Sequence, residues 1–191
     1  MVSIALLVSL VPLFPLLGFL IVALNTRKLT HGVTSFVACG AVLLSFILSV
    51  IIFFQLLGAP EGARSITVTL YEWIAAGNFT ASISFLIDPL SAIFLLIITG
   101  VGFLIHVYSI GYMHDDPAFN RFFSYLNLFV FFMLLLVMGS NYLLMFVGWE
   151  GVGLCSYLLI GFWFKNQSYN NAANKAFIMN RIGDLGMLIG I

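Results

Sequence analysis

Charge is what this sequence has least of. Seven acidic and seven basic side chains stand among 191 residues, 7% where a soluble domain carries about 25%. A small globule must cover its surface with solvated groups, and no enlargement of the core hides such a shortfall. With 62% hydrophobic residues, the chain reads as a membrane protein. The seven-to-seven balance leaves no basic stripe or tail, which sets nucleic-acid partners aside. Cysteine is also scarce. Cys39 and Cys155 stand far apart in apolar runs and cannot by themselves build a disulfide framework, an iron–sulfur cluster or a zinc site. A Walker lysine and a GxGxxG at a strand–helix junction are both missing, so no nucleotide site is visible.

What is present is a series of long apolar runs. A spanning helix needs about 20 such residues. The runs predict an all-α polytopic membrane protein, one membrane domain over 1–191, with about six spans at 2–24, 33–57, 86–112, 122–139, 141–164 and 172–191. The first run lacks a basic start and a small-residue cleavage site, so it reads as a retained span. Pro12 and Pro15 predict a kink in it. Asp88-Pro89 reads as a helix start, and Gly139-Ser140-Asn141 breaks a run too long for one span. Between spans two and three, Ile66, Val68 and Leu70 alternate with Thr67, Thr69 and Tyr71. Past Gly77-Asn78, Phe79, Ala81, Ile83 and Phe85 alternate with Thr80, Ser82 and Ser84. This period of two around a Gly-Asn turn predicts an extramembrane β-hairpin.

Charges at membrane depth are costly, about 2.5–3.5 kcal/mol each on insertion scales, and mark functional candidates. Glu150 is nine residues into the fifth span, about 13 Å from its end and near the midplane. Small residues surround it in Gly148-Trp149-Glu150-Gly151-Val152-Gly153, which lets another helix backbone come close. A carboxyl there can gain and lose a proton as its partner moves; the alternative is a permanently protonated acid that hydrogen-bonds a neighbouring helix. Arg181 and Asp184, three apart on the sixth span, share a helical face and can pair, either as a packing anchor or as part of a proton path. Lys175 lies near the boundary, as a weaker site candidate or a snorkelling side chain. His106 reads as a polar packing residue, since a haem would want two facing intramembrane histidines.

The run Phe146-Val147-Gly148-Trp149-Glu150-Gly151-Val152-Gly153-Leu154-Cys155-Ser156-Tyr157-Leu158-Leu159-Ile160-Gly161-Phe162-Trp163 resembles the signature of the antiporter-like L subunit of respiratory complex I, NADH:quinone oxidoreductase. Leu86-Ile87-Asp88-Pro89-Leu90-Ser91, Gly100 to Ser109, and Lys175-Ala176-Phe177 with Asn180-Arg181-Ile182-Gly183-Asp184 resemble further stretches of that family. The hairpin also fits it. The resemblance implies a proton-translocating subunit of the membrane arm, with no cofactor in this chain; NADH, FMN, iron–sulfur clusters and quinone belong to the parent complex. Its implied partners are the other membrane-arm subunits and the lipid bilayer. Its implied location is an energy-transducing membrane, the bacterial inner membrane first. Glu150 matches the family's fifth-helix glutamate, which pairs with a lysine on a later broken helix; Arg181 and Asp184 match its sixth-helix charges. Family members are longer, and this chain stops inside an apolar helix, so it is expected to be the N-terminal portion of such a subunit. Two other readings stay open: the large subunit of a multi-subunit sodium/proton antiporter, and a structural remnant that transports nothing.

Six spans place Arg27, Lys28, Arg121, Lys165 and Lys175 on one side and Arg64 on the other. The basic side is expected to face the cytoplasm, with the N-terminus and hairpin outside. A cysteine at Ser65 should therefore react with an impermeant thiol reagent from outside, and one at Ser168 should not. The opposite labelling pattern would reverse the orientation.

Overall fold

Lipid offers backbone N–H and C=O groups no partner, so apolar runs of this length fold as helices that satisfy themselves. The computed structural model describes residues 4–60, 64–77 and 79–191. Its elements run α1 (Ile4–Leu24), α2 (His31–Gly58), β1 (Ile66–Ala76), β2 (Phe79–Ile87), α3 (Pro89–Tyr112), α4 (Phe119–Met138), α5 (Tyr142–Ile160) and α6 (Gln167–Gly190). Residues 2 and 3 of the expected first span, and Asn78 of the expected turn, lie outside the described residues. Among the described residues five helices, α1 to α5, are long and apolar enough to cross a membrane. Helix α6 is as long as α3, at 24 residues, but its first half carries Asn170, Asn171, Asn174 and Lys175, and it is the least apolar of the six.

Several boundaries differ from the sequence reading, among them the start of α4, at Phe119 and not 122. The third helix starts at Pro89 rather than 86, because Leu86 and Ile87 finish strand β2. Asp88 caps it in a reciprocal box: its carboxylate accepts from Ser91 N–H at 2.7 Å, and the Ser91 hydroxyl accepts from Asp88 N–H at 2.7 Å. The Ser91 N–H holds the Asp88 carboxyl below its ordinary range. The fifth helix ends at Ile160 and not 164, since Gly161 to Lys165 form turns. The sixth begins at Gln167, five residues before the expected 172, capped by the Asn166 side chain on Ser168 N–H.

The strands pair antiparallel from Ile66↔Ile87 to Ala76↔Phe79, closing at Gly77, whose φ of +60° suits a residue without Cβ. Register shifts between Thr69 and Tyr71 and between Glu72 and Ile74 break the simple alternation of β1. Val68 is buried, while Leu70, Tyr71 and Trp73 all stand exposed. The other strand is anchored to the bundle. Ser140 N–H donates to Ser84 O at 3.1 Å and Asn141 Nδ2 to Ser82 O at 2.7 Å, while Asn141 Oδ1 caps α5 on Leu144 N–H. The break at Gly139-Ser140-Asn141 is thus a docking point for the hairpin.

Helix α1 carries Pro12 and Pro15 without interruption. Pro15 has no N–H to give the carbonyl four residues back, that of Val11. Ser45 of α2 fills the gap, its hydroxyl donating to Val11 O at 2.7 Å. Farther along, Gly18 lets α1 approach α2 and α4, where a Cβ would meet Asn127 Oδ1 and Ala41 Cβ. Ser45→Ala should cost about 0.5–1.5 kcal/mol in thermal unfolding of the intact protein. In a Pro15→Ala background, where a backbone N–H can reach Val11 O, the loss should shrink by at least half. Equal losses in both backgrounds would refute the compensation.

Candidate functional site

Helix α5 presents two different faces. On one, Gly148 and Gly151 lie against α4 so closely that a Cβ at either would overlap the Leu136 backbone or the Phe132 ring. The buried Cys155 continues this face. The other face meets α6 in antiparallel register. Going down α5, Glu150 meets Arg181, Gly153 lies by Asn180, the Tyr157 ring packs on Phe177 at 5.2 Å, and Gly161 opposes Ala173.

At the far end of this seam, three charges come together. The Arg181 guanidinium is in direct ion-pair contact with Glu150, and its Nε lies 3.9 Å from Asp184 Oδ2. Asp184 Oδ1 accepts a 2.7 Å hydrogen bond from the indole N–H of Trp149. Phe177 lies under the guanidinium, 4.6 Å from ring centroid to Cζ. Asp184 is buried at 8% side-chain exposure, Glu150 is at 21%, and Arg181 is half open at 44%. One cation therefore serves two carboxylates. With all three groups ionised the cluster carries one excess negative charge, and a single proton or cation would neutralise it.

Of the residues singled out in the sequence, Glu150, Arg181 and Asp184 are thus brought to one place, and Lys175 is not. Lys175 is exposed on α6 and forms no ion pair among the described residues. The local pair expected between Arg181 and Asp184 is the looser contact, because Glu150 from the facing helix takes the guanidinium directly. Trp149 was not anticipated. Its signal was available: an indole N–H at membrane depth needs an acceptor, and a neighbouring carboxylate is the best one. His106 is buried against α4, its Nδ1–H donating to Gly102 O at 2.7 Å and its Nε2 facing Asn127 Nδ2 at 3.3 Å.

These positions fall within two matched family regions. Residues 73–123 match the model described as NADH-ubiquinone oxidoreductase (complex I), chain 5 N-terminus, and residues 139–191 match NADH:quinone oxidoreductase/Mrp antiporter, TM. Subunit L of NADH-quinone oxidoreductase from Pseudomonas aeruginosa is 42% identical over 179 residues, covering 94% of this chain and 29% of that protein. The chain belongs to the family of antiporter-like subunits of NADH:quinone oxidoreductase. Its Mycobacterium tuberculosis relative, also a subunit L, is 47% identical over 177 residues, and chain 5 of the Allomyces macrogynus NADH-ubiquinone oxidoreductase is 44% identical over 177. Each match covers 93% of this antiporter-like chain and 28% of the relative, so the chain spans under a third of the length of these relatives. The fold is shared more widely. A chain of the archaeal membrane-bound sulfane sulfur reductase superposes with a TM-score of 0.82 over 96% of this chain and 36% of that one, at 18% identity.

The geometry makes the pairing of Arg181 measurable. Asp184→Asn leaves a balanced Glu150–Arg181 pair and should be tolerated in the assembled protein. Arg181→Gln leaves two carboxylates with no cation and should lower the yield and melting temperature. Adding Glu150→Gln to Arg181→Gln should restore part of the loss, with a coupling inside the roughly 0.5–3 kcal/mol range of contacting residues. A Glu150–Arg181 coupling no larger than the Asp184–Arg181 one would contradict the structure.

Proposed function

We propose that this chain forms part of a proton-translocating membrane-arm subunit of NADH:quinone oxidoreductase, in which Glu150 takes up and releases the proton. The observation behind this reading is the sharing of one guanidinium by Glu150 and Asp184 inside the span region. In this reading Arg181 moves between the two carboxylates, and a proton takes the place of the guanidinium at Glu150 when Arg181 turns to Asp184. Trp149 acts as a positioning residue, fixing the Asp184 carboxylate so that its second oxygen faces Arg181. A lysine on a later helix, as the family resemblance implies, would be the next partner along the path.

Redox chemistry belongs elsewhere in the complex on this reading. Among the described residues, no three His, Cys, Asp or Glu side chains gather as a metal site would need, and Cys39 and Cys155 are both buried as free thiols. NADH, FMN, iron–sulfur clusters and quinone are assigned to partner subunits, and the energy of quinone reduction would reach Glu150 through the membrane arm. The host would be an energy-transducing membrane, with the bacterial inner membrane favoured and the basic end of the bundle in the cytoplasm. A second reading is favoured by one finding: the model matched at 139–191 also describes Mrp antiporters. Copurification of flavin- and iron–sulfur-bearing subunits decides for the complex I reading.

The direct test is isosteric. Glu150→Gln keeps volume and hydrogen-bonding capacity and removes titration. The complex should assemble, while proton pumping in proteoliposomes falls at least tenfold, about 1.4 kcal/mol of barrier, and the coupled quinone reductase rate falls with it. Glu150→Asp should keep part of the pumping. An assembled Glu150→Gln complex that pumps like wild type would dismiss the proton role and leave a structural carboxyl.

A further inference from the structure

A second polar site lies two helical turns from Glu150, at the end of the bundle where the basic residues collect. Here the start of α4, the end of α5 and the start of α6 enclose a cavity of about 510 Å³, within the roughly 300–1,000 Å³ span of ligand clefts. Arg121, third residue of α4, lies in its wall. Its guanidinium lies over two rings, Cζ 4.7 Å from the Phe162 centroid and 5.1 Å from that of Phe164, and one amino group donates to Phe162 O at 3.2 Å. Its Nε is buried and has no hydrogen-bond partner among the described residues.

Of the other polar side chains in the lining, Gln167 donates to Asn171 Oδ1 and Asn170 to Phe164 O, and three remain. Tyr125 and Tyr157 hold their rings against Phe162 and Phe177, yet neither hydroxyl has a hydrogen-bond partner among the described residues, nor does the Asn174 amide. Among the described residues no carboxylate lines the cavity. The acidic residues of this end are committed or distant from it: Asp116 accepts from Ala118 N–H and from the Trp163 indole, and Asp115 is fully exposed beside His114. Lys165 and Lys175 each follow a lining residue, Phe164 and Asn174.

A fixed guanidinium, two phenol hydroxyls and a carboxamide, with no acceptor-only group opposing them, match an anion with several acceptor oxygens. The depth matches as well. Trp163, Phe164 and Tyr169 mark the interfacial level at this end of the helices, where phospholipid phosphates lie. We propose that the cavity between α4, α5 and α6 is a phosphate-binding site, filled by the phosphodiester of an anionic phospholipid headgroup or by free phosphate.

The test uses the intact membrane complex that contains this chain, reconstituted in phosphatidylcholine nanodiscs. One arm adds phosphatidylglycerol carrying a photoactivatable group on its headgroup, and mass spectrometry reads the cross-links to residues 157–174. The other arm measures equilibrium binding of radiolabelled inorganic phosphate without the anionic lipid. A lipid site gives labelling that exceeds that of an equivalent phosphatidylcholine probe and resists excess phosphate; a free-phosphate site gives saturable phosphate binding instead. In either case Arg121→Gln should lower the signal about tenfold, the loss of one charge-assisted hydrogen bond, and Arg121→Lys should fall between. Tyr157→Phe and Asn174→Leu remove donors that hold nothing in the structure. They should weaken the signal severalfold with assembly intact, which keeps the test decisive if Arg121→Gln fails to assemble. Signals unchanged in the variants, or no signal above the phosphatidylcholine control in either arm, would overturn the site.

Discussion

The contact that sets the rest in place is the near-backbone approach of α5 to α4. Gly148 and Gly151 remove the side chains that would hold the two helices apart, so α5 lies directly on Leu136 and Phe132. In lipid, where no hydrophobic force draws helices together, such close packing is a main source of association. It also fixes the rotation of α5. With the glycine face turned to α4, the face carrying Glu150, Gly153 and Tyr157 must turn to α6. The antiparallel register with Arg181, Asn180 and Phe177 then follows from helix geometry, and so does the charge cluster.

The same pressure explains the polar residues scattered through the other helices. Each unpaired backbone group in lipid costs several kcal/mol, about what one insertion-scale charge costs. Ser45 serves the carbonyl that Pro15 abandons. At the basic end, Asn120 donates to Thr26 O at 2.8 Å and Leu29 O at 2.9 Å and accepts from Thr34, tying the α1–α2 turn to α4. These contacts join elements far apart in sequence without any ionisable group. Within the membrane-depth part of the described helices, charge is therefore confined chiefly to the α5–α6 cluster.

Signals that are local were legible in the sequence. Asp88-Pro89-Leu90-Ser91 shows its capping box, and Gly139-Ser140-Asn141 its break, because each works through neighbours a few residues away. Hydropathy misplaced the end of α5 and the start of α3 for one physical reason. Phe162 is buried in a turn and Ile87 in a strand, and burial raises apolar content whatever the backbone does. Glu150 stood out as a candidate, since a lone charge in an apolar run needs a partner. That partner did not, because i,i+3 spacing pointed Arg181 at Asp184, and only the register between two helices reveals Glu150 as the nearer group. The cavity at Arg121 was hidden for the same reason, being assembled from three helices.

The two polar sites are joined by the seam between them. From Glu150 to Tyr157 is seven residues, about 10 Å along the axis, with Gly153 against Asn180 and then the Tyr157–Phe177 ring contact between them. The Arg121 guanidinium lies beyond Tyr157, against Phe162 and Phe164, which are twelve and fourteen residues past Glu150 and so roughly 18 Å away along the axis. Over that distance, at an effective dielectric of about 20, two unit charges interact by only about 0.9 kcal/mol, under a tenfold change in an equilibrium. The two sites share a helix pair but are nearly independent electrostatically, and Arg181, at contact, remains the dominant cation of the Glu150–Asp184 cluster.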